Sequence, residues 1–481
     1  MSLSLAFSSA LSGLNLSARG TQLAANNIAN AQTKAYGVRI LAQASQAYGG
    51  VGNGVRMTGI IRHADPALVA EYRSAVSRNS QDKLLGSFWQ RMEAGLGMPG
   101  ETGSLSNSFA DLSSALQRAS ATPDQPAALQ QAVQASAAVA NKFREMHQHV
   151  QNEREQADAG IAKDVGTLNR ALEEIAVLNR KIQRQTLQGG DPAGLMDARQ
   201  ALVDQVSELV PVREFAREDG RIMLIGDDGS ILVDRDAATF AFRRRMDPAP
   251  GETVENGVLS AVFLNDRAIT SGSILFSSGR IGAQLHIRDI AAPKMQQDLD
   301  QLAADLVERF SSPALDASLA PGEPGLFSLS GEAELPGDIT GLAGRIALNP
   351  AVDPTVGGET WRLRAGLNAT TPGDTVDNSL IIRMIDALEQ PTQLPGASPR
   401  TASAHIHASD LVSETASERL SLDDRRGQST AWLATIGESL AAQGVDTDAE
   451  LSRLLILEQA YSANARVIST VDAMLRTILE M

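Results

Sequence analysis

With 481 residues the chain has room for about two to four domains and for sizeable cores. A formal net charge of −15 argues against a nucleic-acid partner, and the absence of cysteine removes disulfide, thiol and Cys-ligated zinc chemistry. No apolar run reaches the roughly 18 residues of a membrane span, and the first residues lack the basic stretch of a cleaved secretory signal, so neither membrane insertion nor cleavage on export is expected.

The chain opens on a helix. Phe7, Leu11, Leu14, Ala18, Thr21, Ala25 and Ile28 alternate steps of four and three, which is a heptad seam. Gly13, Gly20 and the asparagines at 15, 26, 27 and 30 weaken it as a lone helix. No acid precedes Asp65, whereas Arg19, Lys34, Arg39, Arg56 and Arg62 are all basic.

The helix runs into Asn26-Asn27-Ile28-Ala29-Asn30, followed by Thr33 and Tyr36. This stretch resembles the axial proteins of the bacterial flagellum, whose rod, hook and junction members share a motif of the form N-N-I-A-N-x-x-T-x-G-[FY]. Ala35 stands where that family usually has glycine, and Lys34 where its junction members usually have proline. Gly37 can supply the flexible backbone one or two residues later. The glycine-rich stretch 49–55 also looks like this family. It lacks the G-K-[ST] ending of a phosphate-cradling loop and reads as a tight turn between extended segments.

From Asp65 to about Leu209 the pattern is helical. Its clearest piece starts near Asp124 and Pro126, carries a seam from Leu129 to Ile182, and ends at Gly189-Gly190. At 1.5 Å per residue it would span roughly 80 Å, a strut longer than an ordinary domain is wide. Arg154 and Asp164 interrupt the seam, and a kink or break is expected there. His147 and His149 sit two apart on this helix and cannot share a metal ion locally. His405 and His407 meet the same objection if helical.

A helix at 197–210 carries Leu202, Val206, Leu209 and Val210 as its inner stripe. The period then changes to two. Residues 221–225 and 231–233 flank a Gly226–Ser230 turn, and further β-like runs lie at 238–243 and 258–264. Asp227-Asp228 reads as a solvated turn rather than a catalytic acid pair. Residues 211–279 thus form a β insert, expected to be a peripheral unit that a short linker can replace. Helix returns at 290–310, seamed by Met295, Leu299, Leu302, Leu306 and Phe310. Loops with short strands occupy 311–373, a helix 378–388, and a proline-interrupted linker 391–399. A longer helical region then reaches Gln443.

The closing helix has its own heptad seam: Leu454, Leu457, Tyr461, Asn464, Ile468, Val471, Leu475 and Ile478. Asn464 is the polar seam residue of a kind that fixes register. This end is acidic where the first is basic, which predicts antiparallel or staggered pairing of the two, within one molecule or between neighbours. Gln459-Ala460-Tyr461 and the residues to Ile468 look like the Q-A-Y-x-A-x-A-x-V-I sequence that closes flagellar hook, rod and junction proteins. Hook and rod members are expected to be mostly β between their terminal helices. Long helices directly after the first motif favour the hook-associated junction members, with a hook or rod subunit as the alternative.

The fold class expected is mainly α with an inserted β domain, terminal coiled-coil-like helices and a long helical rod. Its parts are an N-terminal axial segment at 1–60, a helical rod at 61–210, the insert at 211–279, the rod's second part at 280–443, and a C-terminal axial helix at 444–481. The resemblance implies a structural subunit without catalysis, cofactor or metal. It would be a homo-oligomer in a helical ring, its terminal helices packed in the inner tube. The expected interface residues are Phe7, Leu11, Leu14, Ala18, Ala25 and Ile28 on the first helix, and the eight seam residues on the last. The motif residues Asn26, Asn27, Ile28, Ala29, Asn30, Thr33, Tyr36, Gln459 and Ala460 support them. Hook protein and a second junction protein (hook-associated protein 3) would be the neighbours, with a cytoplasmic export chaperone for the last helix. The place implied is extracellular, in the flagellum, reached without a cleaved signal. Two other classes fit less well. A wall-cleaving hydrolase needs convergent acids or metal ligands that the sequence does not offer, and a free cytoplasmic coiled-coil adaptor leaves the β insert and both motifs without a role.

Overall fold

A computed structural model describes residues 3–33, 36–48, 51–329, 335–395 and 400–480. The Lys34-Ala35 turn, the Gly49-Gly50 pair and part of the 391–399 linker lie outside the described residues. Helix α1 (Leu3–Ala29) leads into two long antiparallel strands, β1 (Val38–Tyr48) and β2 (Val51–His63), with Ile40 opposite Ile61 and Ala44 opposite Arg56. The rod begins with α2 (Pro66–Leu96), α3 (Leu105–Ala121) and α4 (Pro126–Leu187). The Asp65 carboxylate caps α2 by accepting the Ala67 and Leu68 N–H groups, and Pro66 fits the first turn, where no N–H partner is needed.

Helix α4 runs unbroken for 62 residues, roughly 90 Å. After it come α5 (Ala193–Leu209) and two three-stranded antiparallel sheets. The first is β3 (Val212–Ala216), β4 (Ile222–Gly226) and β5 (Ile231–Val233); the second is β6 (Phe240–Ala241), β7 (Val262–Leu264) and β8 (Arg267–Ile269). Helix α6 (Gly279–His286) continues through a π-helical turn, Ile287–Ala291, into α7 (Ala292–Phe310). A short pair, β9 (Phe327–Leu329) and β10 (Ile346–Leu348), precedes α8 (Arg362–Ala365) and α9 (Ser379–Glu389). Strand β11 (Thr392–Gln393) pairs with β12 (Thr401–Ala402), and the chain closes with α10 (Ala404–Ala442) and α11 (Thr447–Leu479). The architecture is mainly helical with small sheets, as the periodicity indicated.

Two apolar cores are strung along α4. The first joins Phe88 of α2, Phe109 of α3, Phe143 and Met146 of α4, Leu299 and Phe310 of α7, and Ile381 of α9. All are fully or nearly fully buried, and side chains of this size each contribute about 1.5–3 kcal/mol. The second joins Ile161, Leu168 and Ile175 of α4 to Val203, Val206 and Leu209 of α5, to Leu224, Leu232 and Val262 of the sheets, and to Leu285 of α6. Residues 211–279 therefore have no core separate from the rod. They roof the second half of α4, and an excisable peripheral unit is not what the packing shows. In α5 the inward residue is Val203, while Leu202 is only partly buried, a one-residue rotation of the stripe expected from sequence.

The polar interruptions of the α4 seam lie where one core gives way to the other. Arg154, buried, donates to the carbonyls of Ala249, Pro250 and Glu252 in the insert and of Arg288. Asp158 accepts from Arg288 at 2.9 Å, with both side chains 1% exposed. Asp164 accepts from Arg280 at 3.0 Å and from Gln284 at 3.1 Å. These residues anchor the facing helix and do not interrupt their own. The expected break is absent from α4, which is one continuous helix, and the irregular backbone falls opposite, in the π turn that carries Arg288.

Candidate assembly surface

Helix α11 lies antiparallel on α1. Gly13 faces Asn464, Gly20 faces Leu457 and Asn27 faces Glu450, a heptad step on each helix. A Cβ on Gly13 would stand 2.7 Å from Asn464 Nδ2, and one on Gly20 2.9 Å from both Leu457 methyl groups. Lone-helix reasoning marks these glycines as weak points, but in the pair they are where α11 side chains lodge. The buried stripe of α1 is Ala10, Ser17, Gly20, Leu23, Ala24 and Asn27. Its mostly small residues bring the helices close, while α11 supplies Leu457 and the buried Val471.

This stripe is rotated by one position from the seam of large residues. Phe7 and Leu11 are 38% and 42% exposed, Ala18 and Ala25 are exposed, and Leu14 and Ile28 are half-buried. On α11 the structure brings Leu454, Leu457, Asn464, Ile468 and Val471 toward α1. It leaves Tyr461, Leu475 and Ile478 43%, 41% and 57% exposed. The outward positions of the two helices, together with exposed Leu451, Leu455 and Ile456, make an apolar surface that no described residue covers.

The Asn-rich motif folds back on itself. Asn30 Nδ2 donates to the Asn26 carbonyl at 2.9 Å, the Thr33 N–H to the Asn30 carbonyl at 2.9 Å, and the Tyr36 N–H to the Thr33 carbonyl at 3.0 Å. This ends α1 and returns Tyr36 to it. Asn27, fully buried, is the hub. Its amide NH₂ donates to the Arg39 carbonyl and to Glu450 Oε1, both at 2.9 Å, and its oxygen accepts from the Tyr36 hydroxyl at 2.7 Å and the Arg39 N–H at 3.2 Å. One side chain thus ties α1, β1 and α11. Burial raises the Tyr36 phenol above its usual pKa, against the opposing charge of Arg39, so it remains a donor. Asn26, Ala29, Thr33 and Gln459 are exposed, and half-buried Ala460 gives its carbonyl to Asn464 Nδ2.

The hairpin packs on α1 through Ser8 to Asn53 and Ser12 to the Val55 N–H. Two of its bases turn to α5. Arg39 and Arg62 both pair with Asp197 of α5, each at 2.7 Å. Asp197, Glu450 and the small-residue stripe were missed in the sequence. A search for Ala, Gly and Ser at heptad steps would have found the stripe, whereas the acids carry no local signal. His147 turns to Gln296 and His407 to the Thr392 carbonyl, so neither HxH pair converges. Among the described residues no group of three or more His, Cys, Asp or Glu is placed to hold a metal ion, and no helix is long and apolar enough to cross a membrane.

Residues 89–319 match the family described as the flagellar hook-associated protein FlgK helical domain, and 437–481 match the flagellar basal body rod FlgEFG protein C-terminal family. Flagellar hook-associated protein 1 of Escherichia coli (strain K12) is 26% identical over 63% of this chain and 56% of its own. That of Salmonella typhimurium is 26% identical over 66% of this chain and 57% of its own. The chain thus spans little more than half the length of these two relatives. Flagellar hook-associated protein 1 of Bacillus subtilis (strain 168) is 23% identical over 95% of this chain and 94% of its own. The solved flagellar hook junction protein FlgK from Burkholderia pseudomallei aligns at TM-score 0.43 and 17% identity, over 54% of this chain and 46% of that one.

Proposed function

We propose that this chain is a member of the flagellar hook-associated protein family, a structural subunit joining the flagellar hook to the filament. One observation supports the reading: matches to a hook-associated helical domain and to a rod-type C-terminal segment occur in one chain, and among the described residues an apolar face of the terminal helices stays exposed. In this proposal that face packs against further copies in a helical ring. Hook subunits lie on one side and the second junction protein on the other. The chain is exported without a cleaved signal, its last helix guarded by a cytoplasmic chaperone until then. A junction between two lattices needs two unlike end surfaces, which a heterologous packing of identical subunits provides.

The rod-type match at 437–481 also favours a second reading, a hook or rod subunit. The helical domain at 89–319 weighs against it. Deleting the gene separates the two. A junction subunit is expected to leave hooks intact while filament subunits spill into the medium. Loss of the hooks themselves would support the second reading, and filaments still attached would refute both. The proposed role involves no catalysis, which a muramidase assay of the purified chain checks.

A further inference from the structure

Helices α2 and α10 carry six arginines between them. Four are ion-paired: Arg73 to Asp204 and Glu214, Arg91 to Glu153, Arg419 to Glu93 and Asp423, and Arg426 to Asp423. The other two, Arg78 and Arg425, make no ion pair or side-chain hydrogen bond among the described residues. Both line one groove of about 880 Å³, which runs between these helices and the start of β3. Gln81 and Gln428 line it too, equally without a partner among the described residues, as does the Trp432 indole, 48% exposed. Two carboxylates reach the groove. Asp227 is held by Arg213 at 3.5 Å, and Asp82 alone is outside an ion pair. The free side chains are therefore mostly donors, and the groove favours an anion.

The groove reaches β3 at Val212 and Arg213, where it adjoins an unpaired strand edge. β3 is the outer strand of its sheet, and Arg213 to Ala216 are exposed. The Arg217 N–H donates to the Arg221 carbonyl at 2.8 Å, which sets the phase of the ladder. Arg213 and Phe215 then bond β4, and the N–H and C=O groups of Glu214 and Ala216 point away from it. A free ion can use only the side chains. A polypeptide can use both, its main chain along β3 and its side chains over the groove.

We infer that this groove and the β3 edge bind an extended acidic segment of another protein. The segment adds a strand beside β3, its carboxylates pair with Arg78 and Arg425, and an apolar side chain rests on Trp432. Guanidinium–carboxylate pairing supplies the selection for acids, and the strand edge fixes the direction of the segment. On a chain of net charge −15 an acidic partner is repelled over most of the surface, so the two free arginines also steer its approach. The inference rests on the groove and does not depend on the flagellar reading.

A library of random dodecapeptides displayed on phage, panned against the immobilised full-length protein, supplies the probe. The enriched peptides are expected to share acids alternating with apolar residues, the pattern of a strand with one face toward the arginines. The strongest of them, made synthetically, is then titrated against wild type and variants. Arg78→Gln with Arg425→Gln should weaken it by about tenfold or more. Both side chains are exposed, so thermal unfolding of this variant should match wild type. Ala216→Pro removes an N–H that faces away from β4 and should weaken the peptide about fivefold. Arg144→Gln, at an exposed position of α4, should leave its affinity unchanged. Replacing the peptide's acids by glutamine tests the same contact without altering the protein, and should cost as much as the double arginine change. The inference is overturned if no acidic consensus is enriched, or if the double arginine variant or Ala216→Pro binds within about twofold of wild type.

Discussion

Asn27→Ala tests how the terminal pair is held. The change removes a fully buried side chain that makes four hydrogen bonds, one of them to the Glu450 carboxylate. Neutral bonds contribute about 1 kcal/mol each net, and a bond to a charged group about 1.5–3 kcal/mol. Against this, alanine is the better helix former by about 0.7 kcal/mol, and water can reach the half-buried Tyr36. The balance is a loss of about 2–4 kcal/mol, part of it because Glu450, 7% exposed, is left with Oε2 unbonded and only Arg453, 4.0 Å from Oε1, as a partner. Amide hydrogen exchange of the purified subunit is the assay. Protection across α1 and α11 should fall by roughly 30- to 1,000-fold, at 1.4 kcal/mol per decade, while α4 keeps its own. Asn26→Ala, at an exposed position of the same motif, should stay within about 0.5 kcal/mol of wild type. Equal effects from the two asparagines, or protection within threefold of wild type for Asn27→Ala, would refute the hub.

Asp158→Ala takes one of two carboxylates from buried Arg288, which keeps Asp289 at 2.6 Å, so denaturant unfolding should register a loss of about 1.5–3 kcal/mol. Asp158→Leu combined with Arg288→Met and Asp289→Asn, which leaves no carboxylate unpaired, should recover most of it, and no recovery would mean the ion pairing is not the cause. Asp300 accepts the Gly341 and Ala343 N–H groups at 2.7 Å each, yet burial pushes its carboxyl up from 3.8 to about 6. A folded pKa above the unfolded one favours the protonated fold, so this contribution is present below about pH 4 and lost as pH rises through 6. A shift of about two units corresponds to about 3 kcal/mol. The stability difference between wild type and Asp300→Asn should move in wild type's favour between pH 7 and 4.5, and a flat difference curve would show that the carboxyl is not perturbed. Replacing 211–279 by a short linker uncovers Ile161, Leu168 and Ile175, so the shortened chain should aggregate or lose cooperative unfolding; a soluble, cooperative product would show that the insert is separable.

What was legible in the sequence was whatever a single period could carry. The 62-residue strut, the hairpin around the 49–50 glycines, the Asp228–Ser230 turn and the two terminal helices all follow from local spacing. Partnership between distant elements did not. Arg154 and Asp164 were visible as polar residues in an apolar seam, but the carbonyls of 249–252 and the guanidinium of Arg280 that satisfy them lie far along the chain. The basic N-terminal stretch suggested the acids of α11, whereas two of its arginines, Arg39 and Arg62, close on one aspartate of α5. The insert read as independent because its period differs from that of the helices. A period reports secondary structure, and only packing reports which core the strands share.

The same limit explains the two faces of α1. A search for large apolar residues at heptad steps finds Phe7, Leu11 and Leu14, which are the ones the chain leaves partly open. The intramolecular contact needs small residues because α11 comes close enough for Leu457 to touch Gly20. The two stripes lie about 100° apart on one helix, so α1 can hold α11 and still offer large side chains to something else. If that something is a neighbouring copy, Leu11→Ser, Leu475→Ser and Ile478→Ser together should separate folding from assembly. These side chains are 42%, 41% and 57% exposed, so each should cost the subunit about 1 kcal/mol or less. Thermal unfolding and exchange protection of the triple variant should therefore stay near wild type. Cells carrying it should build hooks, lose filaments, and release the folded variant into the medium. Filaments retained at normal number would mean that the open face of the terminal pair is not an assembly surface, and unfolding of the subunit would mean that the face is not open.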